Sequence, residues 1–169
     1  MAALSACATF GCGSDGPTEP ESVSLSDLFG NQLFKADGSS VGLAGLEGAA
    51  IIGIYFASTG CPACAAFNPI LVDAYNQWNA QGKSFEVVLV TAGESLAELL
   101  DYMAESNMPW RAVSPQSNKA NYLAQRYNIR WVPTLVIIDA ALKTISLTGR
   151  EELTQTGPAI YDVWLAAGG

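Results

Sequence analysis

Cys61 and Cys64 are separated by two residues in the stretch Ala57-Ser58-Thr59-Gly60-Cys61-Pro62-Ala63-Cys64, and two thiols at that spacing can close into a small disulfide ring and reopen. The elements around them decide whether they do so. Upstream, Ala50-Ile51-Ile52-Gly53-Ile54-Tyr55-Phe56-Ala57 is uncharged and rich in β-branched and aromatic residues, which predicts a central strand covered on both faces. Downstream, Cys64, Phe67, Leu71, Ala74 and Trp78 recur at steps of three and four, predicting a helix whose apolar stripe packs back on the sheet. Pro62 falls in the first helical turn, where its missing N–H costs nothing. Cys61 thus stands where the helix begins, and there the unpaired N–H groups and the positive end of the helix dipole stabilise a thiolate, the form that attacks disulfides.

Two blander uses of the pair compete with redox chemistry. A C-x-x-C is half of a zinc site, but tetrahedral zinc needs two more Cys or His. The chain has no histidine, and its other thiols are Cys7 and Cys12, so no metal site is expected. A plain structural disulfide is the remaining alternative. Four cysteines are too few for a disulfide scaffold, and without histidine neither Ser-His nor Cys-His catalysis is available.

The 169 residues suit one well-filled domain with a tail, and with half of them hydrophobic the body of the chain is not disordered. A net charge of −8, with only eight Lys and Arg, argues against nucleic acid or anionic membranes as partners. No apolar run reaches the length of a membrane span. Residues 1–23 read as a flexible tail and 24–169 as the folded domain. Leu4-Ser5-Ala6-Cys7 resembles a bacterial lipobox, although only six residues precede Cys7. It motivates the expectation of a bacterial cell-envelope location, lipid-anchored at Cys7, with the cytoplasm as the alternative.

Within the domain, Asp37-Gly38 marks a hairpin. Phe85 to Thr91 reads as a second buried strand. Ser95 with Glu98 forms a capping box for a helix with Leu96, Leu99, Leu100 and Met103 inward. A short strand at 111–113, a helix from about 118 to 127, a strand through 129–139 with Pro133 at its entrance, a closing strand at 143–147 and a last helix from about 158 to 167 follow. In that helix Ile160, Val163 and Trp164 are expected inward. The order β-α-β-α-α-β-β-α joins a parallel crossover half to an antiparallel hairpin half.

These residues together resemble the thioredoxin superfamily. The general signature is the strand, Cys61-Pro62-Ala63-Cys64, the helix, and Val132-Pro133-Thr134 before a strand. Tyr55-Phe56, Phe67, Pro69, Phe85-Glu86-Val87-Val88-Leu89, Met108-Pro109-Trp110 and Gly149-Arg150 narrow the resemblance to its tryparedoxin and nucleoredoxin branch. It implies an α/β thioredoxin fold, a central mixed sheet with helices on both faces. It also implies that Cys61 attacks, Cys64 resolves, Pro133 is held cis beside the disulfide, and Val132 pairs its backbone with a substrate chain. Pro69 marks a bend in the motif helix.

The chain departs from that pattern in places. Gly60 replaces the usual tryptophan before the first cysteine, Tyr55 the buried acid of many thioredoxins, and Ala65 a basic residue. Glu94 aligns with an acidic residue near the site, so it is a candidate for proton transfer or an ordinary solvated charge. Trp131 is a candidate substrate contact and replacement cover for the sulfurs, or else a core residue. The implied activity is thiol-disulfide exchange on protein disulfides, with electrons from an upstream thiol reductant, no bound cofactor beyond the redox disulfide, and a monomeric protein. The alternative is a redox-inactive peptide-binding module on the same fold. A peroxidase lacks the Thr-x-x-Cys setting and arginine it would need.

Overall fold

The computed structural model describes residues 23–168. Nearly all of the expected tail, with Cys7, Cys12 and the Leu4–Cys7 stretch, lies outside the described residues. The chain enters through helix α1 (Leu25–Phe29), capped by Ser24 and Asp27, and a hairpin of β1 (Leu33–Lys35) and β2 (Ser40–Val41). Strand β3 (Ile51–Phe56), helix α2 (Pro62–Ala80) and strand β4 (Phe85–Val90) make the first crossover. Helix α3 (Leu96–Glu105), β5 (Arg111–Val113), α4 (Lys119–Arg126), β6 (Thr134–Asp139) and β7 (Thr144–Ser146) follow. Helix α5 (Gly149–Thr156), a 3₁₀ turn (Gly157–Ala159) and α6 (Ile160–Gly168) complete the described chain.

The strands form one mixed sheet in the order β2-β1-β5-β4-β3-β6-β7. Strand β3 lies at its centre, parallel to β4 and antiparallel to β6. All six of its residues are buried because both faces are covered. The pleat divides them: Ile51 and Tyr55 face a core shared with α2, α3, α5 and α6, while Ile52, Ile54 and Phe56 face a second core under α1 and α4. This is the expected α/β thioredoxin fold with helices on both faces.

The expected stripe of α2 is the observed one, with Cys64, Phe67, Leu71, Ala74 and Trp78 each no more than 3% exposed. The far end of α2 is anchored by aromatic packing. Trp78 lies 4.5 Å from Phe85 between ring centroids, and its indole N–H donates to the Pro158 carbonyl at 2.8 Å. Burying side chains of this size contributes roughly 1.5–3 kcal/mol each, so the motif helix is fixed at the end away from the cysteines.

Three expectations need correction. Residues 129–133 are a loop, and β6 begins only at Thr134, because Pro133 has no N–H for a ladder. Helix α5 was not expected: its sequence is polar, and only Gly149 and Leu153 are buried. Gly149 is required there, since a Cβ would meet the Leu135 carbonyl oxygen at 2.9 Å and Ile137 Cγ1 at 2.7 Å. In α6 Val163 points outward, 59% exposed, and Tyr161 takes the inward place with Ile160 and Trp164.

Candidate active site

The C-terminal end of β3 and the start of α2 place the two cysteines beyond the strand ends at the middle of the sheet, joined as a disulfide. Cys61 is the N-cap of α2: its Sγ accepts the backbone N–H of Cys64 at 3.1 Å. Cys61 is partly exposed and Cys64 is fully buried. The first sulfur therefore meets solvent and the orphan N–H groups of the helix, while the second lies under the first turn. Gly60, just before, has φ +68°, a conformation that bulkier residues rarely adopt.

Val132–Pro133 is a cis peptide bond, and the Val132 carbonyl oxygen lies 4.0 Å from Cys61 Sγ. The loop thus sits beside the exposed sulfur. Trp131, two residues before Pro133, is 72% exposed and is not a core residue. It lines two hollows on the loop's side of the site, and the groove containing Cys61 is lined without it. Glu94 is half-buried and turned to the motif loop, where its Oε1 accepts the backbone N–H of Thr59 at 3.1 Å. The carboxylate holds the turn two residues ahead of Cys61, so it is not an ordinary solvated charge.

A polar cluster not singled out from sequence lies behind the disulfide. The Tyr55 hydroxyl donates to Asn68 Oδ1 at 2.7 Å, and Asn68 Nδ2 donates to the Tyr102 hydroxyl at 3.1 Å and to Ser106 Oγ at 3.0 Å. Asn68 is 3% exposed, one turn after Cys64. Burial, the largest cause, holds the Tyr55 hydroxyl far above the ordinary phenol value, and the neighbouring Tyr102 adds to it. Tyr55 therefore stays neutral and serves as a hydrogen-bond donor. Asn68, Tyr102 and Ser106 also line a groove of about 820 Å³ that runs from Cys61 past Asp73 and Glu105. The one sequence signal was an amide in the otherwise apolar inward face of α2.

The Thioredoxin-like family model matches residues 48–144. Among curated proteins, nucleoredoxin of Bos taurus is 32% identical over 129 residues, covering 75% of this chain and 29% of the relative. The chain thus spans about three tenths of the length of the curated relatives it matches. Among solved structures, thioredoxin from Wuchereria bancrofti has a TM-score of 0.69 at 30% identity, covering 83% of this chain and 97% of that one. Native tryparedoxin I from Crithidia fasciculata has a TM-score of 0.66 at 28% identity, covering 76% and 87%. These curated relatives are eukaryotic and lend nothing to a bacterial envelope location, which rested on residues outside the described ones. No helix among the described residues is long and apolar enough to cross a membrane. With the fold, the strand-to-helix cysteine pair and the cis-proline loop in place, the chain belongs to the thioredoxin-like family, in its tryparedoxin- and nucleoredoxin-like branch.

Proposed function

We propose that the protein is a thiol-disulfide oxidoreductase that passes two electrons from an upstream thiol reductant to protein disulfides through Cys61 and Cys64. The observation that carries this reading is the placement of Cys61 as N-cap of α2, partly exposed, with its sulfur on the Cys64 N–H. In the reduced protein the same N–H and helix terminus stabilise a Cys61 thiolate. That thiolate attacks one sulfur of a partner disulfide, the partner S–S bond breaks, and the departing thiolate takes up a proton. Cys64 then loses its proton and attacks Cys61 Sγ, the mixed disulfide breaks, and the partner leaves as a dithiol. The protein is left as the disulfide and the partner reduced by two electrons.

In this scheme Val132 presents its backbone to the partner chain beside Pro133, Trp131 offers an apolar contact, and Glu94 fixes the Thr59-Gly60 turn. Proton transfer by Glu94 is a narrower role that its bond to Thr59 does not require. The test is reduction of insulin disulfides by dithiothreitol. The wild type should accelerate it, and Cys61→Ser should return it to the background rate. A wild type that gives no acceleration while still binding extended peptides would make the protein a binding module and overturn the redox reading.

A further inference from the structure

The groove of about 820 Å³ that opens at Cys61 runs between α2 and the C-terminal end of α3. Its floor is closed, because Asn68 donates to Tyr102 and to Ser106 and so ties the two walls together. Its rim carries Asp73 on α2 and Glu105 on α3, both exposed, and no lining residue is basic. Neither carboxylate enters an ion pair among the described residues.

The backbone adds to this negative potential. Glu105 is the last residue of α3, and no basic residue stands in that helix's last turn. The last turn holds the carbonyl end of the helix dipole, where a cation is favoured and a carboxylate is not. On the opposite wall Pro69 has no N–H to give the Ala65 carbonyl, its partner in a regular helix, and both residues line the groove. An acidic side chain at the disfavoured end of a helix breaks a local rule of stability, and native chains break such rules where a site requires it. The complement of this rim is a positive charge.

We infer that the groove receives a basic segment of the polypeptide whose disulfide Cys61 attacks, with lysine or arginine side chains meeting Glu105 and Asp73. The bond between Asn68 and Ser106 sets the end of α3 beside α2 about 10 Å beyond Cys61, and Asp73 lies about 18 Å beyond it, at the helical rise per residue. An extended chain advances about 3.3 Å per residue, which puts the two basic side chains about three and five residues from the partner's cysteine. Those two positions share one face of an extended chain. An acidic segment is repelled along the same path. That the segment belongs to a disulfide substrate rests on the proposed function, while the charge preference of the groove does not.

The experiment therefore has two arms. In the first, disulfide peptides with lysine, glutamine or glutamate three and five residues from the cysteine, on each side of it in turn, are compared as substrates of the full-length protein. On one side the lysine peptide should have a kcat/KM about fivefold above the glutamine peptide, the worth of two exposed ion pairs, with the glutamate peptide below both. Raising the salt to 0.5 M should shrink that advantage to less than about twofold. Asp73→Lys and Glu105→Lys together should reverse the order. Glu47→Lys, the same change of charge at an exposed position before β3 and outside the groove, should leave the order intact. In the second arm, the oxidised ¹⁵N-labelled protein is titrated with the same peptides bearing serine in place of cysteine. The lysine peptide should move the amide signals of Asp73, Glu105 and Asn107, and the glutamate peptide should not. Equal kcat/KM for the lysine and glutamate peptides, or an order that survives the double reversal, overturns the inference. A protein without turnover whose groove signals still follow the lysine peptide would sink the redox reading and leave the charge preference standing, and signals that stay still in that protein would sink both.

Discussion

On the α2–α3 side of Cys61 one chain of polar groups is closed on itself, Tyr55 on Asn68 and Asn68 on Tyr102 and Ser106. On the side of the Val132–Pro133 loop the Thr91 hydroxyl has no partner among the described residues, and the largest aromatic residue, Trp131, is 72% exposed. The difference separates two tasks. The first flank ties β3, α2 and α3 together and fixes the helix start that carries the cysteines. The second contributes little to that scaffold and offers surface to whatever approaches Cys61.

The sharpest way to break this comparison is to damage the first flank. Asn68→Leu keeps the branched shape but leaves the buried Tyr55 hydroxyl without its acceptor, and it should cost about 1–3 kcal/mol in urea unfolding. A loss below the error of that measurement would show that the network does not hold the helix. Next in size is the alkaline limb of stability. Burial raises Tyr55 above the ordinary phenol value, so the folded state keeps a proton that the unfolded chain gives up. Its contribution is fully present below about pH 10 and is lost as pH rises from there towards the folded value. The slope is about 1.4 kcal/mol per pH unit for the one group. Tyr55→Phe should flatten the curve above that pH. An unchanged slope would place the hydroxyl in contact with water.

Trp131→Ala should change stability by less than about 0.5 kcal/mol, as expected of an exposed side chain, while lowering kcat/KM for a protein disulfide. If the variant unfolds as readily as Asn68→Leu, the loop flank is part of the scaffold and the comparison fails. The smallest effect belongs to the capping box at the exposed start of α3. The hydrogen bonds from Ser95 hold the Glu98 carboxyl below its ordinary value. Its contribution is present above the unfolded pKa and fades as pH falls through the folded one. Glu98→Gln should remove that acid-side slope without altering disulfide exchange.

The fold was largely legible because its signals are local and repeated. The uncharged β3, the three-and-four stripe of α2 and the Ser95–Glu98 box each announce one element, and their order leaves little choice of topology. Helix α5 was not, since it is held by the close approach of Gly149 to β6 rather than by an apolar stripe. The position of Cys61 could be read from a strand, a proline and a helix in succession. The environment of the site could not. Tyr55, Asn68 and Tyr102 are far apart in sequence and meet only through packing, and the bond from Thr59 to Glu94 spans 35 positions. Trp131 could be placed beside the site, but whether it faced the core or the solvent was decided by the loop that replaced the expected strand.

The central claim is that the start of α2 makes Cys61, and not Cys64, the reacting thiol. It is tested most directly by the pH dependence of alkylation of the reduced protein with iodoacetamide, with each labelled cysteine located by mass mapping. Cys61 should be modified first, with a midpoint below the ordinary cysteine value of about 8.5, and Cys64 should stay unmodified until the protein is unfolded. Faster labelling of Cys64, or a Cys61 midpoint at or above that ordinary value, would contradict the claim.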